Sequence, residues 1–233
     1  NSIGNLSLSN SGILNKTGTN STVLGTGGSS INLTNPGTLN ISAGTFNHAS
    51  GSGSYSGTLN VSAGATFKRD IGFTNTGLIS GFGTIDVGTG TLTNQGTIAP
   101  GTIGTPGELR IAGNLELATA GTLAVDIGGA TPGTGHDTLT VTGNAMLNGA
   151  LQSATIGGFT AAVNQSFDIL SASGSLSGSF ATSNLPAGYN GAIVVCILIA
   201  GEWAGNWVSA IQQAKDKTFD TSIIHLVKRI LSA

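Results

Sequence analysis

Two aspartates, Asp70 and Asp86, and the charged triplet Lys68-Arg69-Asp70 are the side chains of the repetitive first half that could do chemistry. A polysaccharide lyase or hydrolase carried on repeated strands needs two or three carboxylates, or a calcium site, projecting from neighbouring repeats. The step from Asp70 to Asp86 is shorter than the repeat of this region, which leads from Leu39 to Leu59, so the two are not expected to share a face. The triplet reads as a solvated loop. His48, His136 and His225 fall in three different regions, with no metal-ligand spacing between them, and His136-Asp137 reads as a structural turn. Gly53-Ser54-Tyr55-Ser56-Gly57 and Gly174-Ser175-Leu176-Ser177-Gly178 lack the central serine of a nucleophile elbow. Gly25-Thr26-Gly27-Gly28 is followed by no Lys-Ser/Thr, so it is not a phosphate loop. The expectation is a protein that is not an enzyme, with no catalytic, cofactor-binding or metal residues.

The elements that would position any such residue must come from an unusual composition. The 233 residues include 38 glycines, and only 8% are charged. Such a chain could be a disordered linker, but 39% hydrophobic residues spread evenly along it can bury a core. A net charge of −2 offers no basic surface for a phosphate backbone, which argues against nucleic acid as a partner. Cys196 is the single cysteine, so no internal disulfide forms, and its place in the apolar run Ala192–Ala200 reads as a buried inert thiol. That run is too short to span a bilayer, so no transmembrane segment is expected. Asn1-Ser2-Ile3-Gly4-Asn5 reads as strand-and-turn material and not as a secretory signal, the mark of a mature fragment. Seven Asn-x-Ser/Thr sequons, at Asn5, Asn15, Asn20, Asn32, Asn40, Asn60 and Asn164, are expected by chance in a chain this rich in those residues.

Self-similarity is the dominant signal. Gly37-Thr38-Leu39-Asn40-Ile41-Ser42-Ala43-Gly44 returns, with one conservative change, as Gly57-Thr58-Leu59-Asn60-Val61-Ser62-Ala63-Gly64. The same turn-then-strand pattern begins at Gly12, Gly77 and Gly96, so its starts are almost evenly spaced. A period of roughly 20–25 residues with short alternating strands fits a solenoid in which each coil contacts only its neighbours. Leu39 and Ile41, like Leu59 and Val61, alternate with polar residues, so one face points inward and Thr, Ser and Asn can form ladders outside. Glycine marks corners, where Asn-x-Gly and Gly-Thr steps tolerate positive φ. One coil alone buries too little to offset its ordering entropy, so only an array is stable. Neither the asparagine-anchored spacing of leucine-rich repeats nor calcium-binding aspartate nonapeptides are present.

The stretches Gly83-Thr84-Ile85-Asp86-Val87, Leu92-Thr93-Asn94-Gln95-Gly96-Thr97-Ile98-Ala99-Pro100-Gly101 and Pro106-Gly107-Glu108-Leu109-Arg110-Ile111-Ala112-Gly113-Asn114-Leu115 resemble the late passenger region of bacterial autotransporters and related surface adhesins. Gly121-Thr122-Leu123-Ala124-Val125-Asp126-Ile127-Gly128, His136-Asp137-Thr138-Leu139-Thr140-Val141-Thr142-Gly143 and Phe167-Asp168-Ile169-Leu170 resemble the final coils of such passengers. The resemblance covers roughly residues 30–190 and implies a right-handed parallel β-helix secreted through an outer-membrane barrel. No strands of that barrel are found in this sequence, so the chain is not expected to secrete itself.

The tail departs from the repeats. Residues 201–233 hold both tryptophans and half of the basic residues, Lys215, Lys217, Lys228 and Arg229. Asp220-Thr221-Ser222 offers an N-cap before Ile223, Ile224, Leu226, Val227, Ile230 and Leu231, while Trp203, Trp207, Val208 and Ile211 suggest an earlier helical turn. The chain is thus expected to be all-β, a right-handed parallel β-helix over residues 1–200 with coils of about 20–25 residues, and a short α-helical tail over 201–233 that caps it or contacts a neighbouring subunit. The expected role is an extracellular structural or adhesive module of a bacterial surface, facing a host surface or a glycan. The alternative is a fibre subunit stacking head to tail on its own copies from an uncapped first coil, and the third reading is the polysaccharide lyase or hydrolase.

Overall fold

The computed structural model describes residues 5–162 and 165–186, with the backbone of two further strands, Ile193–Ile197 and Ala210–Gln212. Every regular element among the described residues is a β-strand, as the alternating pattern predicts. Pairing between these strands is parallel throughout, apart from the final pair, Ile193–Ile197 with Ala210–Gln212. Ile211 therefore lies in a strand, in place of the helical turn expected there. The remainder of the expected tail helix, His225 and the Asn164 sequon lie outside the described residues, as does the side chain of Cys196.

The strands stack as three ladders. The first runs through Leu6–Ser9, Ile31–Asn35, Gly53–Tyr55, Phe73–Asn75, the later parts of Thr84–Asn94 and Glu108–Leu117, then Ala145–Leu147 and Leu176–Gly178. The second contains Ile13–Lys16, Thr38–Ile41, Thr58–Val61, Leu78–Gly81, Thr97–Pro100, Thr122–Ile127, Ala150–Thr155 and Thr182–Asn184. The third holds Ser21–Leu24, Thr45–His48, Thr66–Lys68, the early parts of the two long strands, Thr138–Val141, Leu170–Ala172 and Ile193–Ile197. Strands Thr84–Asn94 and Glu108–Leu117 belong to both the first and third ladders, and an irregularity between Asp86 and Thr91 turns the chain from one to the other.

Register is kept residue for residue. Leu39 lies on Leu59, as the sequence repeat requires, and the inward column of the second ladder reads Leu14, Leu39, Leu59, Ile79, Ile98, Leu123, Leu151. The third ladder turns Phe46, Phe67, Ile85, Ile111, Val141 and Ala172 inward. All but Leu14 in these two columns are buried, and each large buried aliphatic or aromatic side chain is stabilised by about 1.5–3 kcal/mol relative to exposure.

The corner glycines serve a purpose different from the one their sequence context suggests. Gly37, Gly57, Gly77 and Gly96 are absent from the residues with positive φ, which include Gly44, Gly64, Gly81 and Gly101 at the opposite corner. Close backbone approach requires them instead. Thr58 N–H donates to the Gly37 carbonyl at 2.8 Å and Leu78 N–H to that of Gly57 at 3.0 Å, which draws each corner onto the one before it. A Cβ on Gly57 would sit 2.0 Å from the Gly37 oxygen, and one on Gly77 equally close to the Gly57 oxygen. The asparagines of the same corners are buried: Asn75 Nδ2 donates to Asn94 Oδ1 at 2.7 Å and to the Gly77 carbonyl at 3.0 Å. Gly57→Ala and Gly77→Ala should each destabilise by about 3 kcal/mol through overpacking. Gly12→Ala, with nothing within 4 Å of its Cβ position, should be nearly neutral in urea unfolding followed by circular dichroism. Equal losses at all three positions would refute the close-approach account.

Candidate functional site

Lys68 and Asp86 are register partners across the third ladder, because the local repeat there is shorter than the one that joins Leu39 to Leu59. Lys68 Nζ lies 2.8 Å from Asp70 Oδ1 and 3.2 Å from Asp86 Oδ2. The two aspartates, expected on separate faces, thus meet around one ammonium group. Both carboxylates favour the charged form of Lys68 and raise its pKa. Asp86 Oδ1 also accepts the Gly88 N–H at 2.9 Å. One ammonium shared by two carboxylates leaves a net negative charge on a partly exposed surface, and such ion pairs are of small stabilising value.

Arg69, expected in a solvated loop, is buried, with 5% of its surface exposed. Neutral groups surround its charge. Its guanidinium donates to the carbonyls of Gly51 at 2.7 Å and Gly72 at 3.2 Å, and Nη1 approaches His48 Nδ1 at 2.9 Å. Tyr55 Oη is 2.6 Å from the same imidazole nitrogen, and His48 Nε2 is 2.7 Å from the Ile31 carbonyl. This network requires a neutral imidazole protonated at Nε2, which donates to Ile31 while Nδ1 accepts. Burial, aided by the Arg69 charge and opposed by the Ile31 hydrogen bond, lowers the His48 pKa below 6.5. Burial likewise raises that of Tyr55. Phe46, Phe67 and Phe73 surround this group; the Tyr55 and Phe73 rings are 4.7 Å apart between centroids. Arg69, His48 and Tyr55 belong to different strands and turns, and their joint burial follows from stacking that no local motif announces.

A second polar cluster lies where the connections between the second and third ladders lengthen, at residues 101–107, 128–137 and 156–169. Asp137 is buried, its Oδ1 accepting the Gly107 N–H and its Oδ2 the Asp126 N–H, both at 2.8 Å. Burial pushes its pKa up to about 7, against the pull of those two hydrogen bonds. Asp126 Oδ2 accepts the Gly104 N–H at 2.8 Å, so two carboxylates pin the 101–107 connection. His136 Nδ1 is 3.2 Å from the Gly129 carbonyl, and its ring stands edge-on to Phe167 with centroids 5.3 Å apart. These contacts tie His136-Asp137 to Gly107, Asp126, Gly129 and Phe167. Among the described residues, no group of three His, Cys, Asp or Glu side chains could hold a metal ion.

Outside the core, the three ladders present different surfaces. Lys68, Asp86, Glu108 and Arg110 stand on the third, Glu116 on the first. The second turns Thr38, Asn40, Thr58, Asn60, Leu78, Ser80, Thr97 and Ala99 outward, each half-buried, and its first outward charge is Asp126. Comparison with protein-family models, with curated proteins and with solved structures finds no match. What the chain can do must therefore be read from its own columns of side chains.

The two buried clusters titrate with opposite signs. The His48 contribution to stability is fully present above 6.5 and is lost as pH falls from there through the lowered folded-state pKa. The Asp137 contribution is fully present below 3.8 and lost as pH rises through about 7. His48→Gln should unmask the second slope, with unfolding midpoints that fall from pH 3.8 towards 7. Asp137→Asn should leave the first, with midpoints that fall on acidification below 6.5. Slopes of the same sign in both variants would overturn these assignments.

Proposed function

We propose that the chain is a right-handed parallel β-helix, forming a structural and adhesive module on the outside of a bacterial cell, with coils of about 20–25 residues as far as Thr122 and longer ones beyond it, where Thr122 pairs with Ala150 and Ala150 with Thr182. The observation that carries this reading is the unbroken register of the second ladder. Ile13, Thr38, Thr58, Leu78, Thr97, Thr122, Ala150 and Thr182 occupy one outward column over eight strands. A chain that returns to the same column after each short excursion through the other two ladders has the path of a solenoid. Right-handed crossovers are the strong rule for parallel strands. The resemblance of residues 30–190 to autotransporter passengers supports the extracellular placement.

On this reading the protein acts through shape. A stack of strands about 5 Å apart makes a stiff rod whose flanks display Thr, Ser and Asn at regular intervals to a host surface or a glycan. Among the described residues, no helix is long and apolar enough to cross a membrane. The test is a mass-and-shape determination by small-angle scattering and negative stain, coupled to binding of cells and arrayed glycans. Elongated monomers that bind are the expected result; filaments would favour the self-assembling alternative. Cleavage of an acidic polysaccharide that is lost in Asp70→Ala or Asp86→Ala would replace the adhesive reading by an enzymatic one.

A further inference from the structure

We propose that the outward face of the second ladder binds the lattice of ice. This goes beyond the adhesive reading: it assigns this one face to ice and leaves binding of a glycan or a host surface to the other faces. Two outward columns run side by side: Thr38, Thr58, Leu78, Thr97 and Thr122 in one, Asn15, Asn40, Asn60, Ser80 and Ala99 in the other. Within a column, neighbours are separated by one strand spacing, about 4.8 Å, and the columns by two residue rises, about 6.6 Å. The spacing within a column is close to an oxygen repeat in ice, and the columns lie somewhat closer together than the next such repeat. Parallel register gives the array its regularity, since a residue and its partner one coil away hold the same position relative to the backbone.

The chemistry of the columns fits frozen water better than the other occupants of a flat surface. From Ile13 to Ala124 neither column contains a charged residue, so nothing imposes the radial hydration that an ion requires. The four threonines each offer a hydroxyl and a methyl group, and their hydroxyls make no hydrogen bond among the described residues, while Asn40 Nδ2 is tied to Asn15 Oδ1 at 2.9 Å. Leu78 and Ala99 interrupt the polar pattern with apolar groups that contribute no competing charge. A protein partner is anchored by Trp, Tyr or Arg, and these columns contain none. A polyanion needs cations. A sugar ring finds no aromatic face to stack on. The third ladder, with Lys68, Asp86 and Arg110 in its outward columns, lacks this neutrality.

The experiment uses the full chain and measures thermal hysteresis, inhibition of ice recrystallisation and partition into a growing ice front. Wild type should retard ice growth and enter the ice. Thr58→Lys and Thr97→Lys place a hydrated charge in the array and should abolish both effects while the circular dichroism spectrum is kept. Thr74→Lys, on the exposed face of the first ladder in register with Thr93, should retain them. Wild type that neither slows ice growth nor partitions into ice overturns the proposal. Equal loss in Thr74→Lys and Thr58→Lys also overturns it, and so does loss of a self-association or of glycan binding in Thr58→Lys without any ice activity in wild type. Thr58→Val, which keeps the shape and removes the hydroxyl, covers the case in which a lysine variant fails to fold: it should weaken both effects, and full activity in a folded Thr58→Val would count against the hydroxyl array.

Discussion

Parallel stacking in register is the constraint from which the rest of this protein follows. Each side chain in a ladder has, about 5 Å away, the residue that occupies its position in the next repeat. A residue is tolerated only if it accepts that neighbour. Like charges at this distance repel by about 1 kcal/mol in water and about 3 kcal/mol at the effective dielectric of a protein surface. That penalty would recur at every repeat, which accounts for a composition with 8% charged residues. Where charges do enter an outward column, their neighbours are neutral or opposite. Lys68 lies between Asn47 and Asp86, Arg110 between Thr84 and Thr140, Glu116 between Thr93 and Met146.

The same constraint makes glycine a packing residue. At the corner after the first ladder, consecutive backbones approach until the carbonyl of one glycine fills the space a Cβ of the next would need. Buried asparagines complete the corner, since a carboxamide can accept from one repeat and donate to another while it satisfies a turn carbonyl. Asn10 donates to Asn35 at 2.7 Å and Asn75 to Asn94 at the same distance. Tyr55 stands between these two pairs in the column, and its ring is too large to continue the amide chain. Asn35 then turns to the Thr58 carbonyl at 3.3 Å.

Repetition is the legible part of this sequence, and departures from it are not. The offset between Leu39 and Leu59 determines their register directly, because a parallel array maps sequence period onto spatial neighbours. Lys68 and Asp86 escape the same logic since their local repeat is shorter, and a small change in period is invisible when only one side of the pair recurs. Arg69 is obscured for a related reason: flanked by Lys68 and Asp70, it looks solvated, yet strand alternation sends it to the opposite side from both. Period two, applied to the triplet itself, carries the signal. The asparagines before the corner glycines look like turn formers in sequence, and only the alternation of the preceding strand shows that they point inward.

Arg69 and His48 also show how a core made from repeats can hold a cation without a counter-charge. A strand spends its backbone carbonyls on the next repeat, but turns such as those at Gly51 and Gly72 leave carbonyls facing inward, and a guanidinium has five N–H groups in one plane to collect them. His48 completes the shell as a neutral acceptor, held so by its own burial. The aromatic rings of Phe46, Tyr55, Phe67 and Phe73 then fill the volume that the aliphatic columns occupy elsewhere. The irregular repeat is therefore a second solution to the same packing problem, with Tyr55 in the asparagine column and Arg69 collecting the carbonyls of the turns between the third and first ladders. It also explains why the break in that column falls at Tyr55, the residue whose hydroxyl reaches His48.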